Sequence, residues 1–148
     1  VQSNLRLSSD PIKSDLIPLG GADLIVSLEP MEALRYTEYL NPNGWIVTNT
    51  APFINIGNYP DQDELMKELN KHSNVVAFDM DALAKEVASP RTSNMVLLGA
   101  AARFIDLEKE KIEEGIRTVF GAKGDNIVEM NIVAFRAGYD HTAKSLNK

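Results

Sequence analysis

Cysteine is absent from the chain. Without thiolates it can form no disulfide, no thiolate zinc site and no protein-ligated iron–sulfur cluster. The same absence suits a reducing compartment, so the sequence predicts a cytoplasmic protein. Positive charge is in deficit too: 15 Lys and Arg stand against 21 Asp and Glu, a formal net charge of -6. That leaves no basic footprint for a nucleic acid or an anionic membrane surface. No apolar run approaches the ~20 residues that a membrane-spanning helix needs. The first residues lack the basic start and apolar core of a secretion signal. The chain has only two histidines. His72 and His141 fall far apart, in polar surroundings at predicted helix ends, where a histidine most simply answers the helix dipole.

What is present is ordinary for a globular protein. The chain has 148 residues, 44% of them hydrophobic and 24% charged. That is enough for one domain with a sizeable core. There is no internal repeat and no low-complexity segment.

Residues 1–7 alternate, with Val1, Ser3, Leu5 and Leu7 on one side and Gln2, Asn4 and Arg6 on the other. The alternation predicts a strand already under way at residue 1, as if the sequence were a trimmed chain. A second strand over residues 23–28 follows the Gly20-Gly21 break. Its near-continuous apolar run predicts burial on both faces, as in a parallel sheet covered by helices. Pro30 suits a first helical turn; Met31, Leu34 and Tyr39 are predicted to face inward from that helix, which should end before an Asn41-Pro42-Asn43-Gly44 turn. A third strand covers residues 45–50, and residues 51–60 form a long surface connection. Asp61 and Glu64 make a capping-box-like start for a helix carrying Leu65, Met66 and Leu69.

Residues 75–78 form a short fourth strand, and Asp79 stands where it gives way to a helix over 82–87. Beyond Ser89-Pro90 the pattern is helical. Residues 92–107 are apolar and small, so that helix is predicted to be buried on most sides. Residues 109–120 are amphipathic, with Ile112, Ile116, Val119 and Phe120 on one face. A last helix follows Gly121 and Gly124, with Ile127, Met130, Ala134 and Ala137 on one stripe and Val128, Ile132 and Phe135 on another. The polar tail from Thr142 to Lys148 reads as frayed. Strands alternating with helices predict an α/β fold, a three-layer α/β/α arrangement around a mainly parallel, Rossmann-like sheet with a helical C-terminal part.

In such a sheet, ligands gather at the carboxyl ends of the strands. Glu29, Asn49 with Thr50, and Asp79 end three predicted strands. Glu29 and Asp79 each precede a helix, so both are read first as N-caps. Asn49 and Thr50 precede no helix and are the stronger ligand-facing candidates. Asp79-Met80-Asp81 also has the form by which haloacid-dehalogenase-type phosphatases place a nucleophile and a general acid beside magnesium. The following Ala82-Leu83-Ala84 continues as plain helix and departs from that pattern. No nucleophile elbow, Walker A loop or dinucleotide fingerprint is present. Gly20-Gly21 precedes a strand, the wrong side for a phosphate cradle, and residues 121–124 read as a helix C-cap and turn. Glu108 to Lys111 is a solvated charge run. No catalytic residue and no metal ligand set emerges from the residues alone.

Five segments together resemble the gamma-type domain of 2-oxoacid:ferredoxin oxidoreductases. They are V-Q-S-N-L-R-L-S-S-D-P-I-K-S-D-L-I at the start, G-A-D-L-I-V-S-L-E-P-M-E-A-L-R-Y at 21–36, G-W-I-V-T-N-T at 44–50, the stretch around Tyr59-Pro60, and S-N-M-V-L-L-G-A at 93–100. The resemblance covers residue 1 to about 141 and is nearest to the beta subunits of the indolepyruvate branch. It implies one gamma-type domain over 1–148, without the first strand and G-x-G-G-Q-G loop that usually precede this point in the family. It implies oxidative decarboxylation of a 2-oxoacid to an acyl-CoA by the whole complex. Thiamine diphosphate, magnesium and iron–sulfur clusters would belong to a larger partner subunit, which passes electrons to ferredoxin, and coenzyme A would reach this chain only through the complex.

By the same resemblance, Glu29, Glu32, Asn49, Thr50 and Asn94 are the polar positions expected to face partner or ligand. For Asn94 a helix-start hydrogen bond is an equal alternative. Met80 and Met95 are expected in the core. An independent Rossmann-like module binding a nucleotide or acyl carrier is the chief alternative. The choice of 2-oxoacid and the oligomeric state are not written in these residues.

Overall fold

The computed structural model describes residues 2–147. At its centre three strands, β1 (Ala22–Ser27), β2 (Leu40–Asn49) and β3 (Val75–Phe78), form a parallel sheet in that order. The register break lies early in β2. Ala22 pairs with Leu40 and Leu24 with Trp45, so residues 41–44 all lie opposite Asp23. The Asn-Pro-Asn-Gly turn is therefore a bulge inside the strand. Asn41 Oδ1 accepts the Asn43 N–H at 2.8 Å, and Asn41 Nδ2 donates to Asp23 Oδ1 at 2.6 Å. Turn chemistry operates as its residues dictate, while pairing resumes on either side.

Alternation along the strands sends side chains to two helical layers. Ile25 and Ile46 meet Ala33 of α1 (Pro30–Arg35) and Leu69 of α2 (Gln62–Leu69) on one face. On the other face Val47 and Val76 meet α3 (Met80–Val87), α4 (Ser93–Ala102) and α6 (Asp125–Leu146) through Met80, Ala84, Val96, Ala100 and Ala134. Outside that layer, α5 (Lys109–Phe120) buries Ile116 against Val128, Ile132 and Phe135 of α6. The result is the three-layer α/β/α arrangement with a helical C-terminal part.

Asp61 caps α2 by accepting the N–H groups of Asp63 and Glu64, and Asp79 caps α3 through the Ala82 N–H at 2.8 Å. Where α4 and α6 cross, Gly99 and Gly138 are reciprocal contacts. A Cβ on Gly99 would collide with the Phe135 carbonyl, and one on Gly138 with the Val96 carbonyl. The two backbones touch because neither position carries a side chain. Met80 is fully buried, and Met95 packs against the core at its margin.

Several expectations change. Residues 2–7 form no strand (Val1 lies outside the described residues). Alternation is only half of a strand; the other half is a ladder partner, and here Arg6 instead donates to the Ser14 carbonyl at 2.7 Å. Leu5 and Leu7 accordingly stand exposed. On α1 the buried side chains are Pro30 and Ala33, while Met31 and Leu34 are half-buried, because the short helix lies close on the sheet. Tyr39, also half-buried, falls beyond the helix in a separate 3-10 turn over Thr37–Tyr39. The apolar helix ends at Ala102 rather than 107. Phe104 leaves it to stack on Trp45, ring centroids 4.4 Å apart. Val119 faces solvent at 70% exposure, since α5 has a neighbour on one side only. The C-terminal segment is helical through Leu146, with Thr142 fully buried; Lys148 lies outside the described residues. His141 therefore sits within α6, stacked on Phe78 with centroids 3.9 Å apart.

Candidate functional site

Because β1, β2 and β3 run parallel, and pair regularly beyond the bulge, their carboxyl ends share one edge of the sheet. Glu29, Asn49, Thr50 and Asp79 all stand along it. Glu29 is buried, and its Oε2 accepts the Glu32 N–H at 2.8 Å, capping α1. Ser27 fixes its backbone, accepting the Glu29 N–H at 3.2 Å and donating to the Glu29 carbonyl at 2.6 Å. The second carboxylate oxygen, Oε1, accepts a hydrogen bond from the Tyr59 phenol. Burial, then this bond and the adjacent negative charge, push the Tyr59 pKa well above its ordinary value.

Asn49 is buried as well, and it does cap a helix, though not one that follows it in sequence. Its Oδ1 accepts the Met80 N–H at 2.9 Å at the start of α3, and the Ala51 N–H at 3.2 Å. Thr50 is half-buried. Its N–H donates to the Phe78 carbonyl at 3.0 Å, and its carbonyl accepts from Gln62 Nε2 at 3.1 Å. Glu32 is half-buried on α1, 3.4 Å from Arg35, and borders a cavity of about 150 Å³ between the N-terminal segment and β1. Asn94 stands exposed in the first turn of α4, with no hydrogen bond to Glu29, Asn49 or Thr50. Sheet topology thus brings Glu29, Asn49 and Thr50 to one edge and leaves Asn94 unconnected to them.

Much of the polar surface at this edge is already engaged. Glu29 holds the Glu32 N–H of α1, and Asn49 and Asp79 hold the Met80 and Ala82 N–H groups of α3. Asp79 is engaged as a cap rather than poised as a nucleophile. Among the described residues no three acidic or histidine side chains group to hold a metal ion. What the edge does offer is apolar surface. Leu28 follows β1 at 47% exposure, and Phe53, Ile54 and Ile56 on the connection after β2 are 71%, 68% and 40% exposed.

Tyr59 is the residue at this edge that sequence reasoning missed. It lies 30 positions from Glu29, and the sequence marks it only as a tyrosine beside Pro60 at the end of the connection, within one of the five matched segments. A second ionic contact lies away from the edge. Arg136 donates twice to Glu113, at 2.8 and 2.7 Å, tying α6 to α5. The Arg136 hydrogen bonds, aided by its charge and those of Lys109 and Arg117, outweigh burial and hold the Glu113 carboxyl below its ordinary value.

The family model described as pyruvate ferredoxin/flavodoxin oxidoreductase matches residues 1–141. The chain belongs to this family. Two relatives named indolepyruvate oxidoreductase subunit IorB agree with that membership. The one from Archaeoglobus fulgidus is 34% identical over 149 residues, 95% of this chain and 72% of the relative. The one from Pyrococcus horikoshii is 33% identical over 148 residues, 93% of this chain and 72% of the relative. A solved 2-oxoglutarate:ferredoxin oxidoreductase from Magnetococcus marinus, with 2-oxoglutarate, coenzyme A and succinyl-CoA bound, superposes with a TM-score of 0.64 at 22% identity. That match covers 93% of this chain but 22% of the solved one, and at such identity it speaks for the fold. No helix of the described chain is long and apolar enough to cross a membrane.

Proposed function

We propose that this chain is one gamma-type domain acting as a subunit of a cytoplasmic 2-oxoacid:ferredoxin oxidoreductase. Its substrate would be indolepyruvate or a related arylpyruvate, converted to the acyl-CoA. The residues present do not suit the cofactors of that reaction: there is no cysteine for a cluster, and the edge acidic groups are engaged as caps. By the family resemblance, thiamine diphosphate, magnesium and iron–sulfur clusters would belong to a larger partner subunit, and ferredoxin and coenzyme A would be met through the complex.

The observation that carries this reading is the contrast at the carboxyl edge. Glu29, Asn49 and Asp79 there are engaged with backbone N–H groups, and Glu29 also with Tyr59, while Leu28, Phe53, Ile54 and Ile56 are left to solvent. A free-standing ligand site needs the opposite, unfilled polar groups in an enclosed hollow. Large apolar side chains gathered at one edge suit contact with another polypeptide. Relatives named as subunits fit the same reading.

The test is recovery of the full-length tagged chain from anaerobic native extract. Support requires co-purification of a large, cysteine-rich, thiamine-binding chain together with 2-oxoacid-dependent dye reduction in the eluate. Assaying oxoacids singly then identifies the substrate. Recovery of the chain alone, from cells that express such an oxidoreductase, would count against the reading.

A further inference from the structure

The connection from β2 to α2 is fastened at two places. At its base, Thr50 bonds to Phe78, its carbonyl accepts from Gln62, and Asn49 holds the Ala51 N–H. At its far shoulder, Tyr59 bonds to Glu29. Phe53, Ile54 and Ile56 project between these anchors. Glu29 is itself a rigid post: α1 holds one of its carboxylate oxygens, and Ser27 holds its backbone. A hydrogen bond to a buried carboxylate is among the stronger neutral-to-charged kinds, and this one spans from one strand end to the loop beyond the next.

We propose that Tyr59 is a positioning residue, whose hydrogen bond to Glu29 holds the loop so that Phe53 and Ile54 are presented to the partner subunit. The proposal rests on the partner-facing reading of this edge given above. A loop ordered before docking avoids much of the conformational cost of ordering it at the interface. Tyr59 touches no substrate in this scheme, so it acts on assembly rather than on turnover. A purely structural role would be felt in the stability of the chain and not in its affinity for the partner.

The experiment reconstitutes the full chain with its partner subunit and reads 2-oxoacid-dependent dye reduction against chain concentration. Three variants are compared: Tyr59→Phe, the pair Phe53→Ser with Ile54→Ser, and all three changes together. Tyr59→Phe is expected to raise the half-saturating concentration on the order of tenfold, with kcat at saturation unchanged. In the Phe53→Ser, Ile54→Ser background the same change should have no further effect, because the tip it positions is gone.

If the serine pair leaves half-saturation unaltered, the partner-facing reading fails and the proposal with it. If the serine pair weakens assembly but Tyr59→Phe does not, the positioning role alone fails. Equal weakening by Tyr59→Phe in both backgrounds also overturns it. Should the Tyr59→Phe chain not fold, insertion of two glycines after Gly57 replaces it. That insertion leaves both anchors in place but slackens the tip, and unchanged half-saturation would refute positioning.

Discussion

The seam between α4 and α6 and the loop between β2 and α2 represent opposite uses of apolar residues. At the seam, Gly99 and Gly138 let two backbones meet, and Val96, Ala100, Ala134 and Phe135 around them are wholly buried. On the loop, Phe53 and Ile54 have larger side chains than most of the seam and lie mostly in solvent. Burying such a side chain is worth about 1.5–3 kcal/mol, so the fold leaves that much unclaimed at each position. Close packing that tolerates no added atom marks where the domain holds itself together. Large side chains left exposed on an anchored loop contribute little to that cohesion, and they are where the proposed partner subunit would complete the burial.

The widest gap between the two regions should appear on adding volume. Gly99→Val or Gly138→Val drives a side chain into a backbone carbonyl. The helices must separate, at an expected loss of about 3 kcal/mol or more. Chemical denaturation measures it, and a loss under about 1 kcal/mol would mean that the seam yields more easily than its geometry implies.

Asn49 sits where the loop begins, and it tests whether that end belongs to the rigid half. Asn49→Ala leaves the Met80 and Ala51 N–H groups without an acceptor, with an expected loss of about 1–3 kcal/mol. Asn49→Asp keeps an acceptor and should lose less. Equal losses from both would show that the cap matters little.

A smaller effect, and one that depends on pH, is expected at Glu113. Its side chain is 12% exposed but that of Arg136 is 46% exposed, so solvent screens the pair. Glu113→Gln is expected to lose about 1–2 kcal/mol at neutral pH. Because the folded carboxyl is depressed below its ordinary 4.5, the stabilisation is complete above that value. It is lost as pH falls through the lower, folded value. Denaturation from pH 7 to 2 should show wild type and variant converging in acid; parallel curves would refute the assignment. Smallest of all, Phe53→Ser with Ile54→Ser should alter the stability of the isolated chain by less than about 0.5 kcal/mol per site. A larger loss would place the loop tip in the folded core rather than at an interface.

The alternation of apolar layers was legible in the chain wherever an element's cause is local. β3 and α5 begin and end where apolar runs and charged breaks place them. Asp61 and Asp79 bond to N–H groups no more than three residues ahead. Residues 2–7 carry an equally clear pattern, yet pattern cannot supply a neighbouring strand. Val119 shares its spacing with Ile116, but nothing lies beyond it to be packed against.

By itself, then, the sequence determined the absence of cysteine, the parallel α/β class and the local caps. Each depends on composition or on residues close along the chain. Only the tertiary structure decided that Asn49 caps a helix 31 residues away, that Tyr59 finds Glu29 across 30, and that Arg136 finds Glu113 across 23. Partners at such separations are chosen by the order of strands and the crossing of helices. Those arise from packing the apolar faces together, and no short stretch of chain contains them.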